Sequence, residues 1–119
     1  MATISKILLS AGSSNGLPIA CTGGTASANA VVCHTAVAGT SSLDEIWLWA
    51  SNISTTQSVL LTLEWGVHNA AAGKIVHLIN PSETVCIVPG IPLNNGEVVE
   101  AFASVVDVIN IVGYVNRIV

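Results

Sequence analysis

Leu43-Asp44-Glu45-Ile46-Trp47-Leu48-Trp49-Ala50-Ser51 decides the fold of this chain. Side chains alternate across a β-strand, so a strand here sets Ile46, Leu48 and Ala50 on one face and Trp47, Trp49 and Ser51 on the other. Nowhere does the chain sustain a 3.6-residue apolar period over three turns. The segment is therefore a strand, and one whose two faces are both apolar. Such a strand is expected to be covered on both sides.

The same texture extends outward in both directions. Gln57 to Trp65 reads as a second strand, with Val59, Leu61, Leu63 and Trp65 opposed by Leu60, Thr62 and Glu64; across the polar link Asn52 to Thr56 the two strands are expected to form a hairpin. Upstream, Thr3 to Leu9 and Ala30 to Val37 are strands, with a short one at Leu17 to Cys21 inside a turn-rich stretch from Ser10 to Asn29. Residues 1–29 are thus expected to be a loosely structured N-terminal arm that reaches toward a neighbour. Downstream, an Ala-rich hairpin loop at Val67 to Gly73 leads to strands at Lys74 to Ile79 and Glu83 to Val88. Pro89-Gly90 and Pro92 then predict a bend, since proline fixes φ and removes a ladder donor. Asn94-Asn95-Gly96 is a turn, because Asn and Gly tolerate positive φ.

Glu97 to Ser104 and Asp107 to Val119 close the chain as strands. In the last one Ile109, Ile111, Val115 and Val119 lie opposite Val108, Val112, Tyr114 and Ile118, with Gly113 a candidate bulge. Neither side is polar. About eight short strands bounded by Gly, Pro, Asn and Ser predict a single all-β domain over 1–119, an antiparallel β-sandwich of jelly-roll type.

Composition turns this pattern into a statement about surfaces. The chain has 119 residues, of which 8 % are charged, and a mean hydropathy of +0.71; soluble domains carry charge on roughly a quarter of their residues. Folded alone it would expose roughly 6,000 Å². So few charges on so much surface predict that other protein covers part of it. Three Lys and Arg against seven Asp and Glu leave too little positive charge to neutralise a run of phosphates, so no direct nucleic-acid partner is expected. The uncharged stretch from Ile7 to Leu43 is interrupted by Ser, Thr and Gly and holds no run of 18 apolar residues, so no membrane span is expected, nor is a cleavable secretion signal.

Catalytic and metal-binding patterns are thin. Cys21, Cys33 and Cys86 are odd in number and lack C-x-x-C spacing, which predicts small buried hydrophobes in a reducing compartment. His34, His68 and His77 show no H-x-H or H-x-x-x-H spacing and no carboxylate pattern nearby, so neither a metal nor a cofactor is expected. Cys33 and His34 are adjacent in a strand and point to opposite faces; Glu97 and Glu100 do the same. The glycines have no phosphate-binding spacing. No enzyme is expected. Trp47, Trp49 and Trp65 form the aromatic cluster, suited to a buried interface or to stacking on sugar rings.

The segments Leu43 to Asn52, Val59 to Gly66, Val88-Pro89-Gly90-Ile91-Pro92-Leu93-Asn94-Asn95-Gly96-Glu97, Ala101 to Ser104 and Val108 to Val115 together resemble small virion proteins of tailed bacteriophages, among them capsid decoration (cement) proteins. The resemblance covers roughly Ala30 to Val119. It implies a sandwich subunit, commonly a homotrimer, made in the host cytoplasm and bound on the capsid surface over joints of the major capsid protein, with no catalytic residues. The alternative within the same group is a carbohydrate-binding or structural module of a tail fibre or spike. The residues expected at interfaces are Trp47, Trp49, Trp65, Ile109, Ile111 and Tyr114.

Overall fold

The β-branched runs form nine antiparallel strands in the computed structural model, which describes residues 2–11 and 14–119. They are β1 (Ile4–Leu8), β2 (Ile19–Ala20), β3 (Val31–Thr35), β4 (Leu43–Asn52), β5 (Val59–Trp65), β6 (Lys74–Ile79), β7 (Thr84–Leu93), β8 (Val98–Ala103) and β9 (Ile109–Ile118). One sheet, called A here, runs β1-β9-β4-β7, and β2 joins the same edge of β9 as β1; sheet B runs β3-β8-β5-β6. Since β1 and β2 share one edge, the strands occupy eight positions.

The pairings describe one long hairpin, rolled up. β1 and β2 lie against β9, β3 against β8, β4 against β7, and β5 against β6 at the closed end; rolling brings β9 onto β4 and β8 onto β5. This is the connectivity of a jelly roll, in which paired strands pass together from sheet to sheet.

The core lies between the sheets and follows the two-residue period. Along β4 every even-numbered residue from Asp44 to Asn52 is buried while the odd-numbered ones are half-buried. Ile46, Leu48 and Ala50 meet Ile109, Ile111 and Val115 of β9 in sheet A, and pack on Val59, Leu61, Leu63, Val99, Ala101 and Ala103 of sheet B. Each fully buried Leu, Ile or Val removes enough apolar surface to contribute about 1.5–3 kcal/mol. These two interdigitated faces hold the sandwich together.

Several expectations change. The β4/β5 hairpin does not form: the two strands belong to different sheets, and the hairpin is β5/β6. Asn52, buried at the end of β4, explains the crossing. Its side-chain amide donates to the carbonyls of Gln57, Ile79 and Asn80, and its oxygen accepts from the Ser54 amide, so the link is tied to the far sheet. β7 runs through the expected bend as a single strand with two register irregularities against β4. Pro89 and Pro92 fit there because β7 is an edge strand of sheet A.

Within residues 1–29, the segment expected as a loose arm, β1 and β2 pair with β9 and Cys21 is buried in the core. Residues 1, 12 and 13 lie outside the described residues. Cys33 is buried like Cys21, and burial pushes the Cys21 thiol up to about 11, but Cys86 is exposed. The bulge expected at Gly113 is also absent, for Gly113 sits in unbroken register opposite Leu48. Its glycine answers a different need. A Cβ there would lie 2.0 Å from the Trp47 carbonyl oxygen and 3.0 Å from Leu48 Cδ2.

Gly113→Ala is therefore expected to destabilise the fold by about 1–3 kcal/mol through overpacking, seen as a lower urea midpoint. An unchanged midpoint would show that β4 and β9 part without cost.

Candidate functional site

Three rings occupy the middle of the outer face of sheet A. Trp47 and Trp49 point outward from β4, and Tyr114 of β9 lies directly opposite Trp47. The ring centroids are 6.1, 6.2 and 6.1 Å apart and the planes lie within 11–24° of parallel. Three nearly equal separations exclude a linear stack, in which the outer pair would be twice as far apart. The rings are mutually offset and all three are half-exposed.

The surroundings fix this arrangement. Gly90 on β7 leaves room for the Trp47 indole: a Cβ there would lie 2.7 Å from Trp47 Cζ2. Trp47 Nε1 donates to Glu45 Oε1 at 2.9 Å, and Asn116 Nδ2 donates to the same oxygen at 3.1 Å. These two hydrogen bonds hold the Glu45 carboxyl below its ordinary range. Lys6 of β1, the cross-strand partner of the same Asn116, sets its Nζ 4.7 Å from the Tyr114 ring centroid, a cation–π distance. The result is an apolar platform bordered at one end by the row Lys6, Asn116 and Glu45.

The six expected interface residues thus separate. Trp47, Trp49 and Tyr114 share the outer face of sheet A. Ile109 and Ile111 are fully buried inside the sandwich and cannot meet another molecule, which corrects their assignment. The two-sided apolar pattern of β9 is satisfied on one side by the protein's own core. Trp65, at the end of β5, is half-buried and packs against that core.

Sheet B presents a second outer face in two halves. Leu60 and Leu78 are cross-strand partners, as are Thr62 and Val76, and Thr62 also pairs with Phe102. Leu60, Val76 and Leu78 are exposed, forming an apolar half. In the other half Glu64 of β5 stands directly opposite Glu100 of β8. His68 reaches both carboxylates, its Nδ1 3.3 Å from Glu64 Oε1 and 3.6 Å from Glu100 Oε2. Sequence order alone shows no paired carboxylates beside the histidines. The four-residue spacing of Glu64 and His68 was visible, but Glu100 arrives only through the β5/β8 register. Glu64 Oε2 accepts from Ser27 Oγ at 2.6 Å and from the Asn69 amide at 2.5 Å. Burial works to raise the Glu64 pKa, yet these donors, with His68 and Lys74 nearby, keep it below the ordinary carboxylate range.

A third polar cluster lies inside. His34 Nδ1 accepts from the Ser10 amide at 3.0 Å, which places the ring proton on Nε2, 2.7 Å from Asp44 Oδ2. Arg117 donates to both oxygens of Asp44, Nε to Oδ1 at 2.7 Å and Nη2 to Oδ2 at 2.9 Å, and the Val37 amide adds a fourth bond. The grouping of Ser, His and Asp has the residue types of a hydrolytic triad but not its geometry. The histidine meets serine through the backbone amide, and the Ser10 hydroxyl is engaged by the Thr35 amide. His34 and Asp44 are also wholly buried. This cluster joins the sheets.

A concavity of about 300 Å³ is lined by Leu43, Pro92, Leu93 and Asn94, none of which titrates. Among the described residues no helix is long and apolar enough to cross a membrane. Comparison with protein-family models, with curated proteins and with solved structures gives no match to this chain.

Burial opposes ionisation of Asp44, but the hydrogen bonds from Arg117 and His34 outweigh it and hold its pKa below the ordinary value. This contribution to stability is fully present above the ordinary aspartate pKa and is lost as pH falls through the lower folded value. Asp44→Asn is expected to cost about 3 kcal/mol near neutral pH, the low end for a broken buried pair because Arg117 is about one-third exposed. It should also flatten the acid limb of a stability-against-pH curve. An acid limb that keeps its wild-type slope would assign acid sensitivity elsewhere.

Proposed function

We propose that the chain is a structural virion subunit, a decoration protein that binds itself and a major capsid protein on the outside of a tailed-phage head. One observation carries the reading: a surface of 5982 Å² serves only ten charged side chains, two of which, Asp44 and Glu64, are buried. What remains exposed includes the ring platform of sheet A and the Leu60, Val76 and Leu78 patch of sheet B, on opposite sides of the sandwich. Exposed apolar patches on both faces mark protein-binding surfaces, and two of them suit a subunit held between neighbours. The likeness to small phage virion proteins over Ala30 to Val119 supports the same reading, including a homotrimer.

The mechanism is burial. An interface near 1,600 Å² carries a gross hydrophobic gain of tens of kcal/mol at about 25 cal/mol per Å². Association entropy offsets much of it, and repeated placement on a lattice restores avidity. Trp47, Trp49 and Tyr114 would serve as anchors, since aromatic residues concentrate binding energy at interface centres. No step calls for a catalytic group, a cofactor or contact with nucleic acid or membrane.

One observation favours a second reading, a carbohydrate-binding module of a tail fibre or spike. The three offset rings are half-exposed and bordered by Glu45, Asn116 and Lys6, polar groups able to meet sugar hydroxyls around a stacked ring.

Native mass measurement and co-sedimentation with the shell test the assembly reading. The wild type is expected as a trimer or bound to capsids, and Trp49→Asp, which alters the outer face alone, is expected to remain folded and lose that association. A monodisperse 12.2 kDa wild type that ignores capsids would overturn it. Glycan binding that disappears in Trp47→Ala and Trp49→Ala would establish the second reading instead.

A further inference from the structure

We infer that Glu64, His68 and Glu100 form a binding site for one divalent transition-metal cation, of the Zn²⁺ class, on the outer face of sheet B. The site is independent of the assembly reading. Its ligand atoms are Glu64 Oε1, His68 Nδ1 and Glu100 Oε2, which lie within 4.8 Å of one another and come from β5, the β5/β6 loop and β8.

Three physical arguments converge on a cation. The first is the state of Glu64. Its side chain is 1 % exposed and held ionised, yet among the described residues Oε1 has no hydrogen-bond partner, because both donors, Ser27 and Asn69, go to Oε2. A buried carboxylate oxygen without a donor carries an uncompensated desolvation cost. His68 Nδ1, though 3.3 Å away, makes no hydrogen bond to it.

The second argument is register. Glu64 and Glu100 are direct cross-strand partners, and like charges so placed destabilise a sheet unless a positive charge lies between them. Lys74, the partner of Glu64 on the other side, makes no ion pair among the described residues.

The third is spacing. Metal bonds to imidazole nitrogen and carboxylate oxygen of about 2.1 Å put neighbouring tetrahedral ligands about 3.4 Å apart. The observed separations across His68 are 3.3 and 3.6 Å. One imidazole and two carboxylates form a mixed nitrogen and oxygen set that suits Zn²⁺ or Mn²⁺ better than Ca²⁺. Ser27 and Asn69 then orient the buried ligand by its second oxygen, as outer-shell partners do. His68 is 56 % exposed, so the fourth position opens to solvent.

The alternative occupant of the same space is a proton on His68, and the experiment separates the two. Chelator-treated protein is titrated calorimetrically with Zn²⁺, Mn²⁺ and Ca²⁺, while the His68 ring is followed by NMR. We expect one Zn²⁺ per chain, a His68 shift that saturates at that stoichiometry, a raised thermal midpoint and weaker or absent Ca²⁺ binding. His68→Ala and Glu100→Gln, both at exposed or half-exposed positions, should each weaken Zn²⁺ binding at least about tenfold. They keep the test decisive if Glu64→Gln fails to fold. Cys86→Ser should leave binding unchanged. Absence of stoichiometric uptake, an unperturbed His68, or uptake abolished by Cys86→Ser but not by His68→Ala would overturn the site.

Discussion

One buried carboxylate holds the corner on which this sandwich is built. Asp44 starts the inward-facing row of β4 and accepts hydrogen bonds from four donors on three other parts of the chain: His34 on β3 of the facing sheet, the Val37 amide in the crossing between sheets, and Arg117 near the end of β9. His34 in turn holds the Ser10 amide just beyond β1. In a chain with three Lys and Arg in all, committing one of them to this corner is a measure of its weight. A carboxylate removed from water is tolerable only when its lone pairs are filled, and here they are.

With that corner in place the rest follows from alternation. Rolling a long hairpin gives every strand one face toward the partner sheet and one away, and the inner faces are filled by Val, Ile, Leu and Ala. The outer faces therefore carry whatever distinguishes this chain from other sandwiches. On sheet A that is a trio of offset rings beside a row that carries two opposite charges; on sheet B it is an aliphatic half beside a half built from two carboxylates and a histidine. The proposed assembly role and the proposed cation site draw on these outer faces and leave the core to stability.

Much of this was legible from local signals. Strand positions follow from β-branched runs and turn residues, and the inner and outer rows of β4, β5 and β9 follow from parity. Pairing was less legible. The Asn52 to Thr56 link looks like a hairpin turn, and only the buried Asn52 side chain, bonded to carbonyls around Ile79, shows that it carries the chain to the other sheet. Ile109 and Ile111 read as interface residues because the two apolar faces of β9 look alike in sequence; burial distinguishes them. Glu64 and Glu100 are 36 residues apart, so their meeting depends on register alone, which no local pattern encodes.

The prolines of β7 bear on how such a chain avoids its own worst outcome. An edge strand offers a row of unpaired amides and carbonyls to any passing strand, and edge-on addition of copies has no natural end. Pro89 and Pro92 remove two donors from that row, and the irregular pairing of β7 with β4 bends what remains. Growth by strand addition is thereby discouraged along this border. Any contact made instead through a broad face is bounded by the extent of that face, whereas an open edge can accept strand after strand.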